Sequence, residues 1–172
     1  MEQFDQMSSQ LKHVKPKEIQ DIKQRLKEEK GQGGAYYCSL PSFRDSYRLV
    51  TRMLERSGQS AYLMLCSLTD GKGHPLEKPE KLELLSEELQ NTIQHCLRKG
   101  DSFTKYSPSQ YLVLLIGTNK ENCGLIFDRI RKYFAREHRS WNKYVEFYVS
   151  SVAEVDNLDT PIQFRNDDSG WK

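Results

Sequence analysis

The chain has 172 residues, of which 37% are hydrophobic and 29% charged, and its formal net charge is +2. This length is sufficient for one domain with a hydrophobic core plus extensions. The nearly balanced charge excludes the strongly basic surface typical of nucleic-acid-binding domains. No apolar run approaches the ~20 residues of a membrane span, and the polar N-terminus is unlike a signal peptide. We therefore expect a cytoplasmic protein without membrane contact.

The cysteines and histidines show no metal-binding pattern. The four cysteines are far apart and form no CxxC pair, and the four histidines are scattered along the chain. A zinc site would require closely spaced ligand pairs. Buried, reduced thiols are the expected state of such cysteines in the cytosol. We predict no metal and no cofactor.

Residues 1–30 are polar, with a narrow apolar row at helical spacing. The row consists of Phe4, Met7, Leu11 and Val14, and then of Ile19, Ile22 and Leu26. Pro16 interrupts it and suits the first turn of a second helix. A face this narrow cannot fold alone, and the GQGG stretch at 31–34 is typical of a flexible joint. Residues 1–32 are therefore predicted to be a helical linker or the tail of an upstream domain.

A helix is predicted over residues 42–57. Ser42 and Asp45 resemble a capping box, and Gly58 is a natural stop. Arginines recur on it at every fourth position, which is interpreted as a solvated helix face; they are Arg44, Arg48, Arg52 and Arg56. The apolar run AYLMLCSL that follows, at 61–68, predicts a strand buried on both faces and central in its sheet.

The rest of the chain alternates between helical and strand patterns. A long helix is predicted over 80–97, a β-hairpin over 101–116 with Pro108 in its turn, a helix over 119–138 and a strand over 144–152. A polar, flexible tail follows over 157–172. The order is a helix and then β-α-β-β-α-β, which predicts an α+β fold with a ferredoxin-like antiparallel sheet and helices packed on one face. Many functions use this fold.

The hairpin stretch LRKGDSFTKYSPSQYLVLLI, at 97–116, resembles the catalytic hairpin of the GGDEF family, the diguanylate cyclases. Arg98 and Asp101 match the Arg-x-x-Asp of that family, and Tyr106 matches its aromatic residue. Ser107, Pro108, Ser109, Gln110 and Tyr111 stand at the signature turn. The resemblance covers residues 60–155 and implies a nucleotide-cyclase-like domain over 33–156.

The chain differs from the family at the positions of the residues that carry out the family's reaction. The resemblance places metal-binding carboxylates at the end of the first strand and in the hairpin turn, where they hold Mg²⁺ or Mn²⁺ against the triphosphate. Here Ser67 and Thr69 stand at the first place, and only Asp70 remains, before the turn-forming Gly71. We therefore predict a degenerate domain without catalytic residues, which is not an enzyme.

Arg98 and Asp101 keep the spacing of a second family feature. In active cyclases the Arg-x-x-Asp forms an inhibitory site for cyclic di-GMP, and the rigid fork of arginine suits phosphate or guanine. A structural explanation stands against this one: Arg98 would stabilise a helix C-terminus, and Asp101 would begin a strand. A nucleotide ligand at these residues is accordingly an expectation of the resemblance.

Residues 33–70 resemble the entry into the C-terminal domain of bacterial transcriptional activator (BTAD-type) regulators. The Gly-Ala-Tyr-Tyr-Cys start and the Glu-Arg-Ser-Gly-Gln before the strand carry this match. It implies a non-catalytic regulatory domain that binds a protein partner or small ligand and contacts DNA only through an upstream domain absent from this chain. Three alternatives are a cyclic di-GMP receptor, a dimerisation module forming a homodimer, and, ranked last, an enzyme with remodelled nucleotide chemistry.

Overall fold

The computed structural model describes residues 16–28, 33–154 and 162–164. The chain divides into two compact units, residues 1–32 and 33–172. In the first unit, helix α1 (Pro16–Leu26) begins at the predicted proline. Its Ile19, Ile22 and Leu26 side chains are exposed, and none of its residues is buried. The predicted apolar row over 4–14 lies outside the described residues.

The second unit is built around one six-stranded sheet. Its elements are β1 (Tyr36–Tyr37), α2 (Leu40–Ser57), β2 (Ala61–Leu68), α3 (Pro79–Cys96), β3 (Ser102–Ser107), β4 (Gln110–Ile116), α4 (Lys120–Phe134), β5 (Val145–Ser151) and β6 (Ile162–Phe164), with short 3-10 helices at Arg139–Tyr144 and Val152–Glu154. The strand order is β1-β3-β4-β2-β5-β6. All pairs are antiparallel except β1 with β3. The predicted α+β, ferredoxin-like β-α-β-β-α-β fold is confirmed.

Strand β2 lies at the centre of the sheet, as its continuous apolar sequence predicts. It pairs with β4 on one side and β5 on the other, so that Met64 lies opposite both Val113 and Val149. These side chains, together with those of α3 and α4, form the main hydrophobic cluster on one face of the sheet. Leu85 of α3 and Ile130 of α4 are fully buried there.

Helix α2 covers the opposite face of the same sheet. Its Phe43 packs with Leu114 and Ala61, which alternate along their strands with residues of the main cluster. The two helices of the β-α-β-β-α-β order, α3 and α4, pack on one face as predicted, and α2, which precedes that order, adds a layer on the other face. The physical reason is that β2 and β4 are apolar at nearly every position, so both faces of the sheet need cover.

Two helix ends differ from the predicted ones. Helix α2 is capped by Ser39, whose Oγ accepts a hydrogen bond from the Ser42 amide at 3.4 Å, and not by Ser42. A proline fits the first turn of a helix, so Pro41 moves the start forward. Helix α4 ends at Phe134, four residues before the predicted end. The chain then folds back, so that Trp141 lies 5.6 Å from the Phe134 ring.

The second half of the predicted flexible joint is held against α3. Gly34 has φ +76°, and a Cβ at this position would lie 1.8 Å from the carbonyl oxygen of Gln94. The Gln94 side-chain amide donates to the carbonyls of Gly33 (2.6 Å) and Ala35 (2.7 Å). Gly33 and Gly34 thus fix the entry into the domain, whereas residues 31 and 32 lie outside the described residues.

Strand β6 lies within the stretch predicted as a flexible tail over 157–172. Its three residues pair with β5, with Ile162 opposite Val149. The rest of that stretch lies outside the described residues, and the domain limits at 32 and 156 stay predictions. None of the described helices combines the length and apolar character that a bilayer span requires.

Candidate functional site

The turn between β3 and β4 is tied to the end of β2 by a chain of neutral hydrogen bonds. The Ser107 hydroxyl donates to Oε1 of Gln110 (3.0 Å), and Nε2 of Gln110 donates to the Ser67 hydroxyl (3.2 Å). The Leu68 amide donates to the Ser109 carbonyl at 2.8 Å. A register shift between Lys105 and Ser107 marks a bulge at the same place. Hydroxyls and one amide thus occupy the place where the resemblance puts carboxylates.

Asp70, the remaining carboxylate at this end of β2, closes its own loop. One carboxylate oxygen accepts hydrogen bonds from the amides of Lys72 (2.7 Å) and His74 (3.2 Å). The other lies 3.2 Å from Nδ1 of His74. The hydrogen bond from the Lys72 amide is the main reason why the pKa of Asp70 lies below its ordinary value. An Asp-Gly turn accounts for this residue without a ligand.

The described residues contain no group of three or more His, Cys, Asp or Glu side chains arranged to hold a metal ion. The four cysteines are free and buried in the hydrophobic clusters. Burial raises the pKa of Cys123 to about 11, so this thiol stays protonated at neutral pH. The hydrogen bonds that join the hairpin turn to the end of β2 are made by hydroxyl, amide and carbonyl groups.

Asp101 is buried between the end of α3 and the start of β3. Its side chain is 2% exposed. One carboxylate oxygen accepts a hydrogen bond from the Arg98 amide (3.2 Å), and the other accepts from the Ile116 amide (3.3 Å). Burial raises the pKa of Asp101 above its ordinary value, although these two hydrogen bonds lower it. The carboxylate thus links the Arg98 turn to the end of β4.

Arg98 faces solvent beside this buried carboxylate. Its side chain is 63% exposed, and its Nε lies 3.8 Å from the Asp101 carboxylate, at the outer limit of an ion pair. One guanidinium nitrogen lies 3.5 Å from the Ile116 carbonyl. Arg98 can therefore reach a ligand in solvent, whereas both oxygens of Asp101 are already engaged by backbone amides.

A cleft of about 370 Å³ lies between the first half of α3 and the hairpin. Its walls are Pro79, Leu82, Glu83, Ser86, Glu87, Gln90, Lys105, Pro108 and Tyr111. Its lining includes two carboxylates from α3, the Lys105 ammonium and Pro108, so the cleft presents charges of both signs beside a proline ring. Its size corresponds to the low end of small-molecule sites.

Tyr111, the aromatic residue kept from the signature, forms the floor of this cleft. Its side chain is fully buried. The phenol donates to the Ser86 carbonyl (3.0 Å), and its oxygen also lies 3.1 Å from the Ser86 hydroxyl and 3.3 Å from Oε1 of Gln90. Burial raises the pKa of the phenol. Tyr111 thereby fixes the distance between β4 and α3.

Sequence reasoning placed the hairpin but missed the wall of the cleft on α3. The signal was present, since Glu83, Ser86, Glu87 and Gln90 recur at intervals of three and four residues, which places them on one helix face. It was overlooked because the same helix carries a stronger apolar row over Leu82, Leu85 and Leu89. Tyr106, which the resemblance matched to the family's aromatic, is more than half exposed at the edge of the sheet.

No family model and no curated protein matches the chain. Solved structures do match it, and three of them, described next, are diguanylate cyclases or their GGDEF domains. A DGC protein from Thermotoga maritima is 16% identical, with a TM-score of 0.51 over 68% of this chain and 79% of that one. The diguanylate cyclase SiaD of Pseudomonas aeruginosa, solved with its activator SiaC, is 15% identical, with a TM-score of 0.57. The match spans 91% of this chain and 64% of SiaD.

A third match is the GGDEF domain of DgcB from Caulobacter crescentus, solved in complex with c-di-GMP. It is 11% identical, with a TM-score of 0.55 over 73% of this chain and 79% of that one. At these identities the likeness concerns the fold alone. The chain has the GGDEF-like cyclase fold with a helical extension.

Proposed function

We propose that this chain is a non-catalytic regulatory domain with a GGDEF-like fold, which acts by binding a protein partner or a small ligand. The observation that supports this proposal is the neutral hydrogen-bonded chain from Ser107 through Gln110 to Ser67. These side chains bond to one another at the place where the cyclisation reaction needs carboxylates and a divalent cation. Asp70 closes its own loop through backbone amides and His74.

The test is incubation of the full chain with GTP and Mg²⁺ or Mn²⁺, followed by mass spectrometry of the nucleotides. We expect no cyclic di-GMP and no linear dinucleotide above a heat-denatured sample of the same chain, with an active diguanylate cyclase as positive control. Product that accumulates linearly with protein concentration, and that is absent after denaturation, would refute the proposal.

The proposed setting is a cytoplasmic bacterial transcription regulator of the BTAD type, with DNA contact only through a domain upstream of residue 1. Its support is the resemblance over residues 33–70. The SiaD structure, which holds an activator protein, is a precedent for protein control of a domain with this fold. Sequencing of the gene upstream of Met1 tests the setting, because a BTAD-type regulator requires a winged-helix pattern there.

A second candidate function is a cyclic di-GMP receptor that uses Arg98 and Asp101. The exposed guanidinium of Arg98 favours it, whereas the two amide hydrogen bonds to Asp101 oppose it. Calorimetric titration with cyclic di-GMP, using Arg98→Ala as the matched variant, tests this role. Heat that is lost in the variant would establish the receptor, and no heat at near-millimolar ligand would end it.

A dimerisation module is the third candidate, and it is favoured by the uncovered apolar row of α1. Ile19, Ile22 and Leu26 are exposed on one side of that helix, and such a row is commonly buried against a second helix. Sedimentation of the full chain at several concentrations tests it. A monomer throughout would exclude a homodimer through α1.

A further inference from the structure

The solvent face of α2 carries an uninterrupted row of arginines. The row consists of Arg44, Arg48, Arg52 and Arg56, all of them exposed. They stand at intervals of four residues, so the row extends along about 18 Å of the helix. Within residues 16–28, 33–154 and 162–164, no carboxylate lies within ion-pair distance of any of the four. Four guanidinium groups thus face solvent in one row, which turns by about 120° around the helix from Arg44 to Arg56.

Apolar side chains border the arginine row on one side. Leu49 is 61% exposed and Met53 is 58% exposed, one turn apart on the same helix. Next to them a groove of about 440 Å³ runs between the end of α2 and the end of β4. It is lined by Val50, Met53, Leu54, Arg56, Ser57, Gln59 and Ile116. We call this row, the two apolar side chains and the groove the α2 surface.

We propose that the α2 surface binds an acidic amphipathic helix of a partner protein. The planar guanidinium fork pairs with carboxylates in bidentate geometry. A helix with Glu or Asp at every third or fourth position presents such carboxylates in a matching line. One apolar side chain beside that acidic row would enter the groove next to Met53, and a side chain of this kind contributes most of the affinity when it is desolvated.

The composition of the surface favours a protein over a nucleic acid or a membrane. Asp45 and Glu55 are exposed on the same helix, so positive charge is confined to the arginine row, and the whole chain carries a net charge of only +2. Phosphate binding is driven by a strong positive field, whereas a rim of charge around an apolar groove is typical of protein recognition. The inference deepens the proposed function by naming the partner's chemistry. It is nevertheless separable, because the GTP assay does not depend on α2.

The test uses a fluorescent helical peptide of about 18 residues, with glutamates at every fourth position and one leucine row beside them. Its anisotropy is titrated with the full chain. Control peptides carry glutamine in place of the glutamates or serine in place of the leucines. The variant Arg48→Glu/Arg52→Glu changes the α2 surface, and Lys120→Glu/Lys132→Glu makes the same charge change on α4. Circular dichroism verifies that both variants fold.

We expect micromolar binding that weakens with salt, that drops about tenfold or more in the α2 variant, and that changes less than about twofold in the α4 variant. Met53→Ser and the serine peptide should each weaken binding several-fold, because the groove contact is lost. If both double variants lost the same affinity for the peptide, binding would depend only on the net charge of the chain, and the proposal would be overturned. Tighter binding of duplex DNA or of anionic vesicles would overturn it, as would self-association through α2 without peptide binding.

Discussion

Replacing Asp101 with alanine would remove the acceptor of two backbone amides at the junction of α3, β3 and β4. The Arg98 amide donates to it at 3.2 Å and the Ile116 amide at 3.3 Å. The side chain is 2% exposed, so water reaches the two amides only in part after the substitution. Each unpaired buried donor costs about 1–3 kcal/mol. We therefore expect Asp101→Ala to lower the free energy of unfolding by about 2–4 kcal/mol.

The assay is urea denaturation of the full chain, followed by tryptophan fluorescence and circular dichroism. For a domain of this size the expected loss corresponds to a melting temperature lower by about 7–15 °C. The matched variant is Arg98→Ala, whose exposed side chain makes one long ion pair, and we expect a change below about 1 kcal/mol. If Asp101→Ala and the parent chain were equally stable, the structural role of this carboxylate would be refuted, and a role in binding a ligand would be favoured instead.

Three further outcomes follow from the same structure. Burial raises the pKa of Asp101 above its ordinary value of 3.8, so the stability that its protonated form contributes is lost as the pH rises through the raised value. In urea titrations the free energy of unfolding of the parent chain, relative to that of Asp101→Asn, should therefore fall from about pH 3 to about pH 7. A difference that stays constant with pH would contradict this. Gly34→Ala should destabilise the chain by about 3 kcal/mol or more, because residue 34 has a φ of +76° and the added Cβ would meet a backbone oxygen. The control Gly33→Ala should change thermal stability little, because a Cβ at residue 33 has nothing within 4 Å. Tyr111→Phe should cost about 1–2 kcal/mol in chemical denaturation, because the Ser86 carbonyl loses its donor, and an equal effect of Tyr106→Phe at the exposed edge would show that no specific hydrogen bond is involved.

The fold could be predicted because its signals are local and periodic. The run AYLMLCSL, short and bounded by turn residues, is typical of a strand covered on both sides, and the hairpin is marked by a proline between two strand patterns. The position of α2 could not be predicted, because an apolar helix face shows that a helix packs but not on which side of a sheet. The only indication of a second covering layer on the sheet was that β4, at 110–116, is apolar on both of its faces.

The positions of the candidate site residues in the sequence could be predicted, but the contacts among these residues could not. Sequence reasoning could predict that positions 67, 69 and 107–110 carry no carboxylate, because residue identity alone decides whether a carboxylate is present. It could not show that Gln110 reaches Ser67, since these residues are 43 positions apart. For Asp101 it weighed a ligand role against a structural role. The burial of the side chain bears on that choice, and burial is a property of the tertiary fold that residue identity does not give.

The neutral turn between β3 and β4 has a consequence for how this domain responds to its surroundings. A cluster of carboxylates at close range repels itself and is held together only when a cation or protons neutralise it. Hydroxyl and amide groups carry no net charge and do not repel one another, so the contact from Ser107 through Gln110 to Ser67 forms without any ion. This contact between the hairpin turn and the end of β2 therefore needs no divalent cation to hold it together, unlike a contact made by carboxylates alone.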